Sequence, residues 1–551
     1  MNRNTSSHFS ATDNKINIGR SKFARPSWYK TTMNFSDLVP FYVDEVLPGD
    51  TFDMKTSVLA RMSTPLFPVM DNAYLDTYFF FVPCRLVWEH WKAFNGETDT
   101  NAWNEIIEYT VPSIDANDYM EEGNGAFSVA DYFGLPTAFS TFTPGESIGS
   151  INALPFRSYQ LIWNEFFRDQ NLQDPILINK GDFVDLEEFE SINSLRKVNK
   201  FHDYFTSALP APQKGPAVVI PGLEGLPVGG IDGLVNDVTE VKVKNLNGTT
   251  AGNVVLATDA SGNLGGQSGG SPAQRVGFGN LGTLEGAGSI SGATIDALRT
   301  AFQIQKLLWR DGTGGTRYTE ILRSHFGVVS PDARLQRPEY LGGKRIPLTM
   351  NQVIQQAPSG VNGAGDASPL GNTGAYSKTV DSFNGFQKSF TEHGYIIGVC
   401  CARTDHTYQQ GFNRLWSRRS RFDFYYPELA NIGEQPILNR EIYAQFNDED
   451  DQVFGYQEAW AEYRYRPSFV TGAFRSDYPQ SLDAWHYADK YGSLPVLSAE
   501  WIQEPIENVN RTLAVSGSSS NHDQLLLDFY FDLTCTRPMP VYSVPGLVDH
   551  F

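Results

Sequence analysis

The chain is poor in cysteine, in positive charge and in long apolar runs. Its 551 residues hold four cysteines, Cys84, Cys400, Cys401 and Cys535. None has metal-ligand or redox spacing, and the disulfide framework of a small secreted domain is excluded. Each stands beside apolar residues, so buried thiols in a reducing cytoplasm are expected. The 43 bases against 63 acids leave a net charge of −20. A surface of that sign repels nucleic acid on average, so any contact with a polyanion has to be local. The opening residues, MNRNTSSHFSATDNK, lack the apolar stretch of a secretory signal. The longest apolar runs, such as residues 78–82 and 395–402, fall far short of the ~20 residues of a membrane span. Neither secretion nor a membrane anchor is expected.

Motifs of catalysis are scarce as well. There is no phosphate-cradling Gly-x-x-x-x-Gly-Lys-Ser/Thr, no His-Glu-x-x-His and no Gly-x-Ser-x-Gly. The glycine cluster at 312–315 precedes a helix pattern but lacks the strand and the third glycine of a dinucleotide site. Cys400, Cys401, Asp405 and His406 lie close in sequence. Adjacent cysteines on a strand point to opposite faces, so both cannot ligate one ion. His202, His406 and His522 each have an aspartate neighbour, but a catalytic triad needs spatial convergence, which adjacency does not supply. Glu458 and Glu462, among Trp460 and Tyr463, are the nearest thing to a glycosidase pair. Solvated or ion-paired carboxylates explain them more simply. A secreted, β-rich glycan-active enzyme or adhesin stays as the alternative class. No catalytic, cofactor or metal residue is assigned.

What is present is β-rich. Strand-like runs cluster toward both ends: residues 38–46, 51–61, 75–82, 395–403, 422–426, 459–466 and 525–536. Pro48-Gly49-Asp50 supplies a turn between the first two. Several runs are apolar on both faces, as expected of a strand between two packed layers. A sheet built from both ends requires a long excursion between them. That excursion carries helices. Residues 156–170 place Tyr159, Ile162, Trp163, Phe166 and Phe167 on one face, and 295–310 do so with Leu298, Ala301, Phe302, Gln305, Leu308 and Trp309. A third helix is expected over 316–326.

Residues 215–292 hold 19 of the 49 glycines and a single aromatic, Phe278. Such a segment has too little to bury to supply a core. Within it, 238–246 alternate, Asn247-Gly248 offers a tight turn, and 253–257 are apolar again, which reads as a small hairpin. Residues 1–30 differ in another way. Arg3, Lys15, Arg20, Lys22, Arg25 and Lys30 stand against one acid, Asp13. This reads as a flexible basic arm, with Trp28 and Tyr29 able to stack unpaired bases beside its cations. A second basic run comprises Arg414, Arg418, Arg419 and Arg421 with Trp416. For both, a solvated or salt-bridged surface is the competing reading.

Three stretches carry a resemblance. Residues 20–97 contain RSKFARPSWYKTTMNFSDLVPFYVDEVLPGDTFDMK and LDTYFFFVPCRLVWEHW; residues 394–438 contain GYIIGVCCARTDHTYQQGFNRLWSRRSRFDFYYPELANIGEQP; residues 454–475 read FGYQEAWAEYRYRPSFVTGAFR. Together they resemble the major capsid proteins of the small single-stranded DNA phages, the Microviridae, in their gokushovirus branch. The likeness extends over 18–97, 202–216, parts of 295–347 and most of 394–551, and not over 215–292. Cys84 and His406 depart from the residues more usual at those places. The resemblance implies a mainly β fold, an eight-stranded antiparallel jelly-roll barrel with long, partly helical inserted loops. It implies a structural subunit, not an enzyme, that assembles with identical copies into a T=1 icosahedral shell around circular single-stranded DNA. It divides the chain into a basic arm (1–30), a core (31–214 with 293–551) and a surface insertion (215–292) forming threefold protrusions. The arm, through Arg20, Lys22, Arg25, Trp28 and Lys30, would face the genome. The insertion, with Asn247, Gly248 and Phe278, would meet a host receptor. Minor virion proteins are further implied partners. The expected locations are the virion and, during assembly, the bacterial cytoplasm, with no cofactor.

Overall fold

The computed structural model describes residues 19–97, 108–115, 119, 125–137, 150–215, 218, 295–315, 317–356, 371–514 and 523–542, with the backbone of four short strands between 243 and 278. The chain forms two compact units, Met1–Pro212 with Gly314–Phe551, and Gln213–Thr313.

Nine strands make up most of the two main sheets of the first unit: β1 (Ser21–Ala24), β2 (Ser27–Met33), β3 (Asp37–Val46), β4 (Thr51–Met62), β5 (Ala73–Pro83), β6 (Glu339–Pro347), β7 (Thr379–Ser389), β8 (Gly394–Thr404) and β9 (Leu525–Arg537). In the first sheet β1 and β2 both pair with β9, β9 pairs with β4, and β4 with β7. The second sheet runs β6-β5-β8-β3, with the two-residue strand Arg196–Lys197 at its β3 edge. All these pairs are antiparallel. Both chain ends thus supply the sheets, as the clustering of strand-like runs predicts.

Residue alternation decides which faces meet. In β4, Phe52, Met54, Val58, Ala60 and Met62 are buried while Asp53, Lys55 and Arg61 point away. In β9, Leu525, Leu527, Phe529, Phe531, Leu533 and Cys535 do the same. These residues meet Phe41, Leu75, Phe79, Phe81, Ile396 and Cys400 of the second sheet in one core. Phe41 stacks on Phe529 at 4.5 Å. The second sheet is buried on both faces, so β8 is apolar almost throughout. Its other face lies under α1 (Leu154–Ile162) and α2 (Leu186–Asn193), through Phe80, Val82, Ile397, Val399 and Cys401 against Phe156, Tyr159, Ile162 and Phe189. The Tyr159 hydroxyl donates to the Leu38 carbonyl at 2.7 Å and fixes helix to strand.

Four expectations are corrected. Among the described residues the sheets do not close into an eight-stranded barrel. At one edge β6 and β7 are joined by side chains, Lys344–Asp381 at 2.6 Å and Lys388–Glu339 at 2.5 Å, without a backbone ladder. The expected strand at 422–426 is instead two 3-10 turns, Arg421–Asp423 and Pro427–Leu429. Capping by the Asp423 carboxylate, which accepts from the Arg419 and Ser420 amides at 2.7 and 2.6 Å, overrides the strand propensity of Phe and Tyr there. At 459–466 the strand has already ended at Glu458, and a 3-10 turn, Ala461–Tyr463, follows. Trp460 stands before it in the left-handed region at φ 63°. The helix expected over 156–170 ends early: α1 passes into a single π turn, Trp163–Phe167.

In the second unit, α3 (Ile295–Gly314) matches the predicted helix, although Phe302 on its expected apolar face is exposed. The third helix, α4 (Tyr318–Phe326), lies in the first unit. The turn of the hairpin expected across Asn247-Gly248 lies outside the described residues, and the described parts of its two strands pair elsewhere. Val243–Asn245 pairs with Val276–Phe278, and Val255–Thr258 with Leu264–Gln267. The short Asp-, Ser-, Gly- and Asn-containing connection at 259–263 gives Val255–Thr258 a nearer partner. No described helix is long and apolar enough to cross a membrane.

Candidate functional site

The basic segment from Arg20 to Lys30 is part of the first sheet, which corrects the flexible-arm reading for these residues. Residues 1–18 lie outside the described residues. Ser21–Ala24 pairs with Thr534–Arg537 and Ser27–Met33 with Leu525–Phe531, so β9 holds both pieces. Proline at 26 has no amide to donate and interrupts the ladder between them. Strand alternation separates Trp28 from Tyr29. Trp28 is 66 % exposed and lies 4.8 Å, centroid to centroid, from Tyr530 on the outer face. Tyr29 turns inward, its hydroxyl donating to the Tyr132 carbonyl at 2.9 Å. Burial pushes its pKa up and removes it as a stacking surface.

The four cations differ in the same way. Arg25 is held by Asp44 at 2.6 Å, and Lys30 lies 3.5 Å from Asp528. Arg20 and Lys22 are exposed and have no ion pair among the described residues. Register adds two cations that the sequence did not single out. Thr32, Leu526 and Arg61 are cross-strand neighbours, as are Asp532 and Lys55, so Lys55 and Arg61 share the outer face with Trp28 and Lys30. Lys30, Arg61, Asp131 and Asp528 line a cleft of about 630 Å³ on this face. Pairing fixes that face, and β4 is too far along the chain for spacing to reveal it.

The second basic run divides. Arg414 contacts Glu441 at 2.9 Å and Arg418 contacts Glu462 at 3.0 Å, with both glutamates nearly buried. Glu462 is therefore an anchor for two arginines and not half of a hydrolytic pair; Glu458 pairs with Arg464. Arg419 and Arg421 remain exposed, as do Trp416 and Phe422, and Arg421 lies over the Tyr426 ring at 5.2 Å.

Cys400 and Cys401 diverge as strand geometry predicts. Cys400 enters the core between the sheets and Cys401 the core under the helices. Burial pushes the Cys401 thiol up to about 12, so it stays protonated and is no nucleophile at neutral pH. His406 is buried between Glu504 at 2.9 Å and Asp489 at 3.2 Å, and Asp489 also binds Lys200 at 3.2 Å. The cluster joins the end of β8 to the 485–510 segment, a structural task. His202 and Asp203 do not join it: Asp203 caps its own turn by accepting from the Phe205 and Thr206 amides. Of the insertion residues, Asn247 and Gly248 lie outside the described residues, and Phe278 ends a short strand.

Residues 12–547 match the family described as capsid protein (F protein). The chain is 44 % identical over 544 residues to capsid protein VP1 of Bdellovibrio phage phiMH2K, covering 97 % of both. It is 39 % identical over 593 residues to capsid protein VP1 of Chlamydia phage 1, and 38 % over 560 residues to that of Spiroplasma virus 4, covering 96 % of each chain in both cases. The resemblance to the gokushovirus branch therefore holds, and it reaches across nearly the whole chain. Such membership carries self-assembly into a shell of identical subunits and a place in the virion. The relatives are capsid proteins, so the chain is structural and non-enzymatic, and it belongs to the phage capsid protein (F protein) family.

Proposed function

We propose that the chain folds as a jelly roll and builds a T=1 icosahedral shell around a circular single-stranded DNA genome. The strand order carries this reading. Counting β1 and β2 as one interrupted strand, eight strands in chain order lie 1-8-3-6 in one sheet and 5-4-7-2 in the other. One antiparallel ribbon folded over itself gives this order, the double-sheet arrangement recurrent in viral capsids. The outer face of the first sheet is the proposed genome contact. Arg20, Lys22 and Lys30 neutralise phosphate there, Trp28 offers a ring to unpaired bases, and Lys55 and Arg61 extend the surface. Arg25, engaged by Asp44, contributes mainly by placing the segment. Residues 215–292, with Asn247, Gly248 and Phe278, are the proposed host-receptor contact. Minor virion proteins complete the particle, which is assembled in the host cytoplasm.

Negative-stain microscopy of purified particles, with their nucleic acid treated by a single-strand-specific nuclease, tests the reading. Shells of uniform diameter holding nuclease-sensitive DNA are expected. Filaments, small discrete oligomers, or shells holding only nuclease-resistant duplex would overturn it.

A further inference from the structure

One face of the first unit displays large aromatic side chains to solvent, Trp416, Phe422 and Phe446. It has two halves. In one, two 3-10 turns, Arg414–Ser417 and Arg421–Asp423, form a platform. Asn413 caps the first by accepting from the Leu415 amide at 2.9 Å. Arg414 and Arg418 bind Glu441 and Glu462 beneath it. Above them Trp416 is 76 % and Phe422 75 % exposed. Arg419 and Arg421 are exposed with no ion pair among the described residues, and Arg421 lies over the Tyr426 ring at 5.2 Å.

The other half is a turn that displays Phe446, which is 88 % exposed. Its φ is 59°, in the left-handed region that bulky side chains rarely occupy. The turn is built to hold it there. The buried Asp450 carboxylate accepts from the Gln445 and Phe446 amides at 2.9 and 2.7 Å, and the Asn447 side chain accepts from the Glu449 amide at 3.0 Å. Asp448 and Glu449 follow in the same turn, exposed and without an ion pair among the described residues. The halves are neighbours: Phe412, immediately before the capping Asn413, stacks on Phe446 at 6.1 Å.

Charge selects the occupant. Asp448 and Glu449 repel phosphate, so nucleic acid does not fit the Phe446 half. The basic half is the complement that the acidic half requires, and the chain carries both on one face. A self-complementary face is what a twofold contact between identical chains needs. Resting on the shell assembly already assigned, we propose that this face is an interface between two copies of the chain. The Phe446 turn of each copy seats against the Trp416 and Phe422 platform of the other, with Asp448 and Glu449 facing Arg419 and Arg421.

Charge reversal tests the pairing. The variants are D448K with E449K, R419E with R421E, and all four changes together, each compared with the unmodified chain by sedimentation. Failure of the unmodified chain to form particles would count against the shell reading itself and not against this contact. Each two-site variant is expected to lower particle yield by about tenfold or more at low salt, with the free subunit melting as the unmodified one does. The four-site variant is expected to recover most of that yield. Undiminished yield in the two-site variants, or no recovery in the four-site variant, overturns the proposal. Particles that assemble normally but lose their nucleic acid when Arg419 and Arg421 are reversed would assign the basic half to the genome and also overturn it. If a charge variant fails to fold, Phe446→Ser decides. It removes an exposed ring and no core contact, so normal particle yield from that variant overturns the proposal, and lost assembly with an unchanged melting temperature supports it.

Discussion

His406 shows what a single residue contributes here. Burial alone favours its neutral ring, but the Glu504 and Asp489 carboxylates outweigh that and hold its pKa up at about 10. A folded-state pKa above the ordinary 6.5 means stability that is fully present below about pH 6.5 and is lost as pH rises through about 10. Asp489 runs the other way. Burial disfavours its charge, but Lys200 and His406 prevail and hold it well below the usual carboxylate range. Its contribution is present above about pH 4 and is lost as pH falls further. Thermal melting of the subunit between pH 5 and 10 is expected to weaken toward the alkaline end. His406→Gln is expected to melt lower at pH 6 and to flatten that alkaline slope; an unchanged slope refutes the assignment. Sequence singled out His406 for its neighbours Cys400, Cys401 and Asp405 and as an unusual residue, not for Glu504 and Asp489, which are distant in the chain. Gly398 is a second residue-scale constraint. A methyl group there would lie 2.9 Å from Tyr42 Cβ and 3.0 Å from the Phe79 ring. Gly398→Ala is expected to destabilise the subunit by about 1–3 kcal/mol, read by denaturant unfolding.

Elements were legible where alternation or a full apolar run coincided with a long strand. β4, β8 and β9 follow the sequence reading to within a residue or two of their ends. Residues 422–426 and 459–466 were not legible, because aromatic density resembles strand propensity while Asp423 and the left-handed Trp460 decide the backbone. The β1–β2 segment was misread for the opposite reason. Its charge suggested an arm, but Phe23, Tyr29 and Met33 alternate inward along the β9 ladder. That placement sharpens the test of the genome contact. Changing Arg20, Lys22, Arg25 and Lys30 to Gln leaves the ladder intact. Losing the exposed Arg25–Asp44 and Lys30–Asp528 pairs is worth about 0–1 kcal/mol each. The variant subunit is therefore expected to fold normally while packaged DNA and particle heat stability fall. A normal genome content with normal heat stability counts against genome contact. An equal assembly defect in empty shells would instead place these cations against a neighbouring subunit.

At the scale of the whole molecule, the question is whether residues 215–292 are needed for the fold. Gln213–Thr313 forms its own unit, which spans the glycine-rich stretch and most of α3. Among the described residues of that unit, the short strands pair with one another in two ladders. Shortening a connection changes its closure entropy only slowly with length, by about 0.6 kcal/mol per halving. Replacing 215–292 with a short Gly-Ser linker is therefore expected to leave a soluble subunit that still assembles. Infectivity is expected to fall sharply if the segment meets the host. Particle yield, melting temperature and infectivity separate the possibilities. An insoluble or unfolded subunit shows that the segment supports the fold and sinks the idea. Particles that form but melt earlier show copies bracing one another through it. Full infectivity removes the host-contact role and leaves the segment as surface alone.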